Sequence, residues 1–126
     1  MTDLTVAVIF VALADRAEKL VPFYIALFNQ PPTIEVPQVY AEFHLPGLRL
    51  GIFQPKADQQ QQFAGKSGSM SLCIEVGSLE AAIDHLNQIG CPPASKIMSA
   101  SHGREIYIYD PAGNRLILHE SLPKSS

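Results

Sequence analysis

Runs of apolar residues divide the first half of the chain into a strand, a helix and a hairpin. Residues 5–13 are almost continuously apolar, which predicts a strand buried on both faces. Apolar side chains then recur every three or four positions over residues 20–28, which predicts an amphipathic helix with Asp15 as its N-cap. Residues 39–45 and 48–53 flank a Pro-Gly pair, a pattern typical of two strands joined by a tight turn.

The second half of the chain repeats this order of elements. Ser78 is predicted to cap a helix with a regular apolar stripe. Strands are predicted in residues 71–76, around Ile97, and in residues 105–109 and 115–120. The segment between the two halves, residues 55–69, is rich in Gln and Gly, has no periodicity and is predicted to be a loop.

The two halves also match each other directly. Residues 47–53 resemble residues 113–119 at an offset of 66, and residues 11–13 resemble residues 74–76 at an offset of 63. Similar offsets in corresponding elements indicate a duplicated unit, and a twofold repeat of this length is not a solenoid. We therefore predict one α+β domain of two tandem βαβββ modules, with module one at residues 4–55, a linker at 56–68 and module two at 69–121.

Strand alternation predicts which side chains share a face with possible ligands. A two-residue turn in module one would place three pairs on one face: His44 with Arg49, Glu42 with Gly51, and Tyr40 with Phe53. The matching pairs in module two would be Tyr109 with Arg115, Tyr107 with Ile117, and Glu105 with His119. Aromatic rings mixed with a few polar groups are typical of a small-molecule site. The predicted ligand-binding residues are therefore Tyr40, Arg49, Phe53, Glu105, Tyr107, Tyr109, Arg115 and His119.

Two of the histidines allow more specific hypotheses. Glu42 and His44 lie two positions apart on one strand face, where a carboxylate can orient an imidazole for acid–base catalysis. The alternative is a structural or solvated cluster of these residues with Arg49. His85 lies opposite the apolar stripe of its helix and is predicted to face solvent.

Composition limits the classes of function. Only 17% of residues are charged, against about 25% in typical soluble domains, and 47% are hydrophobic, with a net charge of −3. This balance argues against a disordered chain, a nucleic-acid binder with a large basic surface and a solvated coiled coil. The net charge gives no strong attraction to phosphate or to a membrane surface. The scarcity of charge predicts that some apolar surface is covered by a ligand or by a second copy of the chain, and we predict a homodimer.

The cysteines and the first residues of the chain indicate the compartment. Cys73 and Cys91 form no CxxC motif, and two cysteines are too few for a disulfide framework, so we predict two reduced, buried thiols. Asp3 stands where a secretory signal would carry a basic residue, and the apolar segment that follows is too short to span a bilayer. The prediction is a cytoplasmic protein.

Several stretches of this sequence resemble the vicinal oxygen chelate superfamily, the group of glyoxalases, bleomycin resistance proteins and extradiol dioxygenases. The resemblance runs from Leu4 to about Ser121 and includes Phe23-Tyr24 and residues 41–50 and 72–86. Its most specific part is residues 103–114, a Gly-Arg pair followed by a strand and Asp-Pro-Ala-Gly-Asn. The resemblance implies that the two modules form an open β-barrel or cup.

Catalytic members of that superfamily hold a divalent ion through one ligand from each of four strands, usually two His and two Glu. Carried over one at a time, these positions fall at or near Val8 and at Gly51, Ser71 and Ile117. Ser71 offers only a neutral hydroxyl, and the other three offer no ligand atom. We therefore expect no metal ion and no other cofactor, and the metal-dependent mechanism becomes doubtful.

Three functions remain open from the sequence. The first is a protein that binds an unidentified aromatic or amphiphilic small molecule without catalysis. The second is an enzyme: a lyase, isomerase or dioxygenase with a rearranged metal site built from Glu42, His44, Glu105 and His119, or a metal-independent catalyst that uses His44 and Glu42. The third is an accessory dimer with no ligand.

Overall fold

The chain forms an α+β fold in the computed structural model, which describes residues 7–65, 69–100 and 102–122. The strands in these ranges are β1 (Val11–Ala14), β2 (Ile34–Val36), β3 (Tyr40–Leu45), β4 (Leu48–Phe53), β5 (Ser71–Glu75), β6 (Met98–Ala100), β7 (Gly103–Tyr109) and β8 (Arg115–Ser121). The α-helices are α1 (Leu20–Phe28) and α2 (Leu79–Gln88). A 3-10 helix, Ala57–Phe63, called the linker helix below, lies between the two halves.

Two separate four-stranded sheets confirm the predicted pair of βαβββ modules. Sheet one has the strand order β1-β4-β3-β2, and sheet two has the order β5-β8-β7-β6. In each sheet the first strand of the module runs parallel to the last strand, and the other neighbours are antiparallel. The sheets are open and are not closed into a barrel.

The predicted cross-strand pairs are also confirmed. In sheet one the structure pairs His44 with Arg49, Glu42 with Gly51 and Tyr40 with Phe53. In sheet two it pairs Tyr109 with Arg115, Tyr107 with Ile117 and Glu105 with His119. Because side chains alternate along a strand, these residues share the face opposite the core in each sheet.

The first strand is shorter than the sequence indicated. Residues 5 and 6 lie outside the described residues, and residues 7–10 are exposed and outside β1. The register explains part of this difference, because Val11 pairs with Leu50. Residues 7 and 8 would therefore need partners in the Pro46-Gly47 turn, where β4 has not yet begun.

Two elements in module one and the linker had not been located from the sequence, although a βαβββ module implies the first of them. β2 is a three-residue, fully exposed edge strand paired with β3. The linker helix replaces part of the predicted loop, and residues 66–68 of the linker lie outside the described residues. A 3-10 turn of polar residues has no apolar periodicity, so pattern analysis has nothing to detect there.

A single core joins the modules. The apolar faces of both sheets pack with α1 and α2 in one cluster of fully buried side chains: Leu20, Tyr24, Phe43, Leu50, Leu79, Leu86, Ile106, Ile108 and Leu116. The Tyr24 hydroxyl donates a hydrogen bond to Asp110 Oδ2 of module two at 2.7 Å, and burial raises the pKa of this phenol. The tyrosine therefore stays protonated and links the modules.

The two α-helices contact each other as well. His85 Nε2 in α2 lies 2.9 Å from the carbonyl oxygen of Ala26 and 3.1 Å from that of Leu27, at the end of α1. The prediction that His85 faces solvent is therefore wrong, because the unpaired carbonyls at the end of a helix attract a donor that helix periodicity alone does not reveal. Neither α-helix of the described residues is long and apolar enough to cross a membrane.

The N-cap of α1 is Lys19 and not Asp15, so the predicted N-cap is wrong, although the Asp15 side chain does bind the start of the helix. The side chain of Asp15 is buried and accepts hydrogen bonds from the backbone N–H groups of Lys19 at 3.0 Å and Leu20 at 3.1 Å. Pro22 occupies the third position of the helix, where a backbone N–H would have no partner within the helix. It is therefore accommodated without interrupting the helix.

Candidate functional site

The face of sheet one that points away from the core, called face one below, carries a chain of hydrogen bonds along β3. The Tyr40 hydroxyl donates to Glu42 Oε1 at 2.6 Å, and His44 Nε2 lies 2.5 Å from Glu42 Oε2. The hydrogen bonds from Tyr40 and His44 lower the pKa of Glu42, and the charge of Arg49 acts in the same direction. Burial and the bond to Glu42 raise the pKa of Tyr40 to about 12. At neutral pH face one therefore holds a carboxylate fixed from both sides.

The ring of Tyr40 lies across Gly51 on the neighbouring strand. A Cβ atom at Gly51 would lie 2.8 Å from the Tyr40 hydroxyl oxygen and 3.1 Å from the nearest ring carbon. Real Cβ atoms do not approach that closely, so the phenol occupies the space that any side chain at this position would need. The Tyr40 ring therefore forms the surface in the middle of face one.

An aromatic pair closes one end of face one. The ring of Phe63, in the linker helix, packs edge-on against the ring of Phe53 with centroids 4.9 Å apart. Phe63 remains 42% exposed. Phe63 was not among the predicted site residues. Its one signal in the sequence is that it is an aromatic residue at the end of a Gln-rich segment.

The corresponding surface of sheet two, called face two below, is organised around Arg115. Its Nε donates to the Ser71 hydroxyl oxygen at 2.7 Å, and its guanidinium carbon lies 5.9 Å from the centre of the Tyr107 ring. Tyr109, directly opposite Arg115, is 46% exposed. One end of face two therefore presents a positioned guanidinium and two phenol rings.

The other end of face two holds a carboxylate–imidazole pair that the sequence did not predict. His119 Nδ1 lies 2.7 Å from Glu75 Oε1, in addition to the predicted cross-strand pairing of His119 with Glu105. Ser121 donates to the other oxygen of Glu75 through its hydroxyl and its backbone N–H, and these bonds with that of His119 lower the pKa of Glu75. The parallel pairing of β5 with β8 sets Glu75 next to His119. Antiparallel pairing rules applied to β7 and β8 could not reveal it.

The predicted site residues therefore fall into two groups on two sheets. Face one holds Tyr40, Glu42, His44, Arg49 and Phe53, and face two holds Glu105, Tyr107, Tyr109, Arg115 and His119. Tyr40, Glu42 and His44 are joined by hydrogen bonds on face one, and Arg115 and His119 form hydrogen bonds with Ser71 and Glu75 on face two.

An open groove of about 620 Å³ lies between the turn of module one and strand β5. Apolar side chains that include Phe28, Leu45 and Ile74 line it, and Ser71 and Cys73 lie on its β5 side. Cys73 is exposed, so the prediction of a buried thiol is wrong for this residue, while Cys91 is half-buried; both are free thiols. Through Ser71, which also contacts Arg115, the groove borders face two.

Comparison with protein families identifies the framework on which these faces are built. The family described as "Glyoxalase/Bleomycin resistance protein/Dioxygenase superfamily" matches residues 7–118, most of both modules. The chain belongs to this superfamily. A search among curated proteins finds no significant match to the sequence.

Several solved structures share this fold at low sequence identity. A glyoxalase/bleomycin resistance protein from Catenulispora acidiphila is 22% identical, with a TM-score of 0.67 over 91% of this chain and 97% of that chain. The fosfomycin resistance protein FosX from Listeria monocytogenes is 16% identical, with a TM-score of 0.72 over 94% of this chain and 96% of that chain. A glyoxalase-related enzyme from Fulvimarina pelagi is 19% identical, with a TM-score of 0.71 over 92% and 89% of the two chains.

The metal-ligand positions expected in this superfamily do not suit a divalent ion here. Val8 is 55% exposed and lies before β1, Gly51 is covered by Tyr40, and Ile117 has no ligand atom. Ser71 uses its hydroxyl oxygen to accept a hydrogen bond from Arg115. Within the described ranges, no group of three or more His, Cys, Asp or Glu side chains is placed to hold a metal ion.

The same result bears on the rearranged metal site considered from the sequence. His44 pairs with Glu42 on face one, and His119 pairs with Glu75 on face two. The two imidazoles thus belong to different networks on different sheets. The structure does not bring Glu42, His44, Glu105 and His119 together as a metal-binding group.

The superfamily signature in residues 103–114 makes structural contacts. Asp110 is buried and accepts hydrogen bonds from the backbone N–H groups of Ala112 and Asn114 at 2.9 Å each, from the Asn114 side chain, and from Tyr24. Arg104 bridges Glu120 and Glu80 at 2.8 and 2.9 Å, which raises its pKa. The signature therefore fixes the β7–β8 turn and the contact between modules rather than supplying ligand atoms.

Proposed function

We propose that this protein binds an aromatic or amphiphilic small molecule on its polar sheet faces, without a metal ion. The observation that carries the proposal is the contact between Tyr40 and Gly51, because a phenol fills the place where the superfamily has a ligand side chain. Organic side chains rather than an ion would then contact the bound molecule. The superfamily framework is retained while its metal positions are not.

The geometry of face two supports the same proposal. Ser71 and Tyr107 hold the Arg115 guanidinium in position, so it need not be ordered when a ligand binds. The neighbouring groove of about 620 Å³ lies within the size range of small-molecule pockets, roughly 300–1,000 Å³. Its apolar lining suits an aromatic or alkyl group, and Arg115 suits a polar end.

We also propose that the protein acts as a homodimer. Val8, Ile9 and Phe10 precede β1 and are 55%, 79% and 45% exposed, a run of apolar surface that a monomer would leave in water. Sedimentation analysis should show a dimer at micromolar concentration, and a monomer would contradict this assignment. The free thiols of Cys73 and Cys91 are compatible with the cytoplasm, which we propose as its compartment.

A second candidate function is metal-independent acid–base catalysis on face one. The observation that favours it is the short contact of 2.5 Å between His44 and Glu42, with Tyr40 held on the same carboxylate. A carboxylate that orients an imidazole is a common arrangement for a general base. Turnover of a bound compound that is lost in both His44→Gln and Glu42→Gln would establish this function.

A thermal-shift screen tests the binding function. Aromatic and amphiphilic compounds are added to the chelator-treated protein, and at least one is expected to raise the melting temperature, since saturation at a hundredfold excess over Kd stabilises by about 2.7 kcal/mol. The shift should decrease in Tyr40→Ala or in Tyr107→Ala, and it should persist in Ile97→Ala, a matched exposed apolar position. A screen in which no compound shifts the melting temperature would contradict the proposal and favour an accessory dimer.

A further inference from the structure

We propose that face one binds an aromatic carboxylate, with its ring against Phe53 and Phe63 and its carboxylate at Arg49 and His44. This inference rests on the proposed binding function and specifies the face, the class of ligand and its orientation. It depends on three features of face one that lie in order along the sheet: an aromatic end, a tyrosine floor and a cationic end.

The aromatic end consists of Phe53 and Phe63. The edge-on packing of the two rings, with centroids 4.9 Å apart, holds Phe63 against the sheet while leaving 42% of it exposed. A large ring that is exposed on a polar 3-10 helix gains little from its own fold. A third ring that packs against this pair would remove more apolar surface from water.

The cationic end lies at the other end of the same strands. His44 and Arg49 are directly opposite each other beside the β3–β4 turn, and both are exposed. Guanidinium presents paired N–H donors that match the two oxygens of a carboxylate, and a histidine beside it can add a further donor. Arg49 and Phe53 are four residues apart, about 13 Å along a strand.

The floor between the two ends favours a ligand with a single negative charge. The Tyr40 ring covers Gly51 and offers an aromatic surface, while Glu42 is held by hydrogen bonds from Tyr40 and His44. The Glu42 carboxylate remains charged, and it would repel a dianion such as a phosphate monoester more strongly than a carboxylate. A ring joined to a carboxylate by a short alkyl chain fits this order of groups.

Calorimetric titration with phenylbutyrate and with its neutral amide, phenylbutyramide, tests the inference on the full chain. At low salt the acid should bind about tenfold more tightly than the amide, the factor expected for charge-assisted hydrogen bonds at a partly exposed site. Added salt should weaken binding of the acid and leave the amide unchanged, because exposed charges are screened.

Two variants separate the two ends of the site. Arg49→Gln should abolish the preference for the acid while leaving the affinity for the amide unchanged. Phe63→Ala should weaken the binding of both compounds by a similar factor. Arg16→Gln, at an exposed arginine outside face one, should change neither. Far-UV circular dichroism on each variant confirms that it is folded, and Arg49→Lys should restore part of the preference.

The outcomes also separate this inference from the binding function on which it rests. Equal binding of acid and amide, a preference that survives Arg49→Gln, or no binding of either compound would each overturn the inference. The binding function itself would still stand if the thermal-shift screen finds other compounds. If both experiments find nothing, the proposed function fails together with the inference.

Discussion

Tyr40 determines the arrangement of face one more than any other single residue. Its ring covers Gly51, and its hydroxyl fixes Glu42, which in turn contacts His44. Strand alternation was sufficient to predict that these residues share a face. It could not predict that the phenol leans across the neighbouring strand, because the period of a strand fixes the side of the sheet and not the side-chain rotamer.

The hydrogen bond from Tyr40 should be visible in the titration of Glu42. This bond is the largest cause that lowers the Glu42 pKa from its usual 4.5, so Tyr40→Phe should raise that pKa towards 4.5. NMR titration of the side-chain carboxyl carbons measures it. Glu75, whose pKa is lowered by Ser121 and His119 on the other sheet, serves as the internal control and should not change.

The lowered pKa of Glu42 also determines how the stability of the fold depends on pH. A carboxylate whose pKa is lowered in the folded state stabilises the fold above the unfolded value, about 4.5, and this contribution is lost as the pH falls through the folded value. In Tyr40→Phe, the Glu42 carboxylate should contribute less to the stability of the fold. An unchanged Glu42 pKa in the variant would mean that the bond to Tyr40 does not form in solution.

Element by element, the parts of the fold set by short-range pattern were predictable. Both helices, the strands on either side of each turn and the antiparallel registers came from periodicity and turn residues. The Glu75–His119 pair and the end of β1 did not, because both depend on parallel pairing between strands far apart in sequence. The packing of Phe63 on Phe53 is likewise a tertiary contact.

Gly103, the first residue of the superfamily signature, lies where β7 and β8 approach each other closely. A Cβ at Gly103 would overlap the backbone oxygen of Glu120 and would lie 2.7 Å from His119 Nε2. Gly103→Ala should therefore lower the free energy of unfolding by about 1–3 kcal/mol or more, as overpacking typically does. Gly77→Ala is the matched control, since nothing lies within 4 Å of a Cβ there, and its stability should be unchanged or slightly higher.

Chemical denaturation monitored by circular dichroism compares the two glycine variants. If Gly103→Ala is as stable as Gly77→Ala, the two strands separate more easily than the structure indicates. His119 is a second indicator, because among the described residues its Nε2 is buried without a hydrogen-bond partner beside Gly103. The NMR resonances of the His119 side chain should therefore shift in Gly103→Ala.

On the scale of the whole molecule, the duplicated sequence predicted two modules but not how their polar faces are arranged. Contacts such as the hydrogen bond from Tyr24 to Asp110 join the modules through α1 and the β7–β8 turn. These long-range contacts have no local pattern in the sequence. The result is one common core with two separate polar faces, each with its own hydrogen-bond network and its own arginine, Arg49 or Arg115.

The low charge content is consistent with this arrangement. Apolar residues before β1, the open groove beside β5 and the partly exposed rings of Phe63 and Tyr109 all leave apolar surface uncovered in the single chain. We propose that a ligand and a second copy of the chain cover this apolar surface. Both are compatible with a superfamily framework in which no group of His, Cys, Asp or Glu side chains of the described residues is placed to hold a metal ion.

The proposed function requires that the bound molecule contact organic side chains and not a divalent ion. The most direct test is calorimetric titration of one binding compound from the thermal-shift screen, first with excess chelator and then with excess Mn²⁺ or Zn²⁺. We expect equal affinity in both conditions. Binding that disappears in chelator and returns with the ion would contradict it.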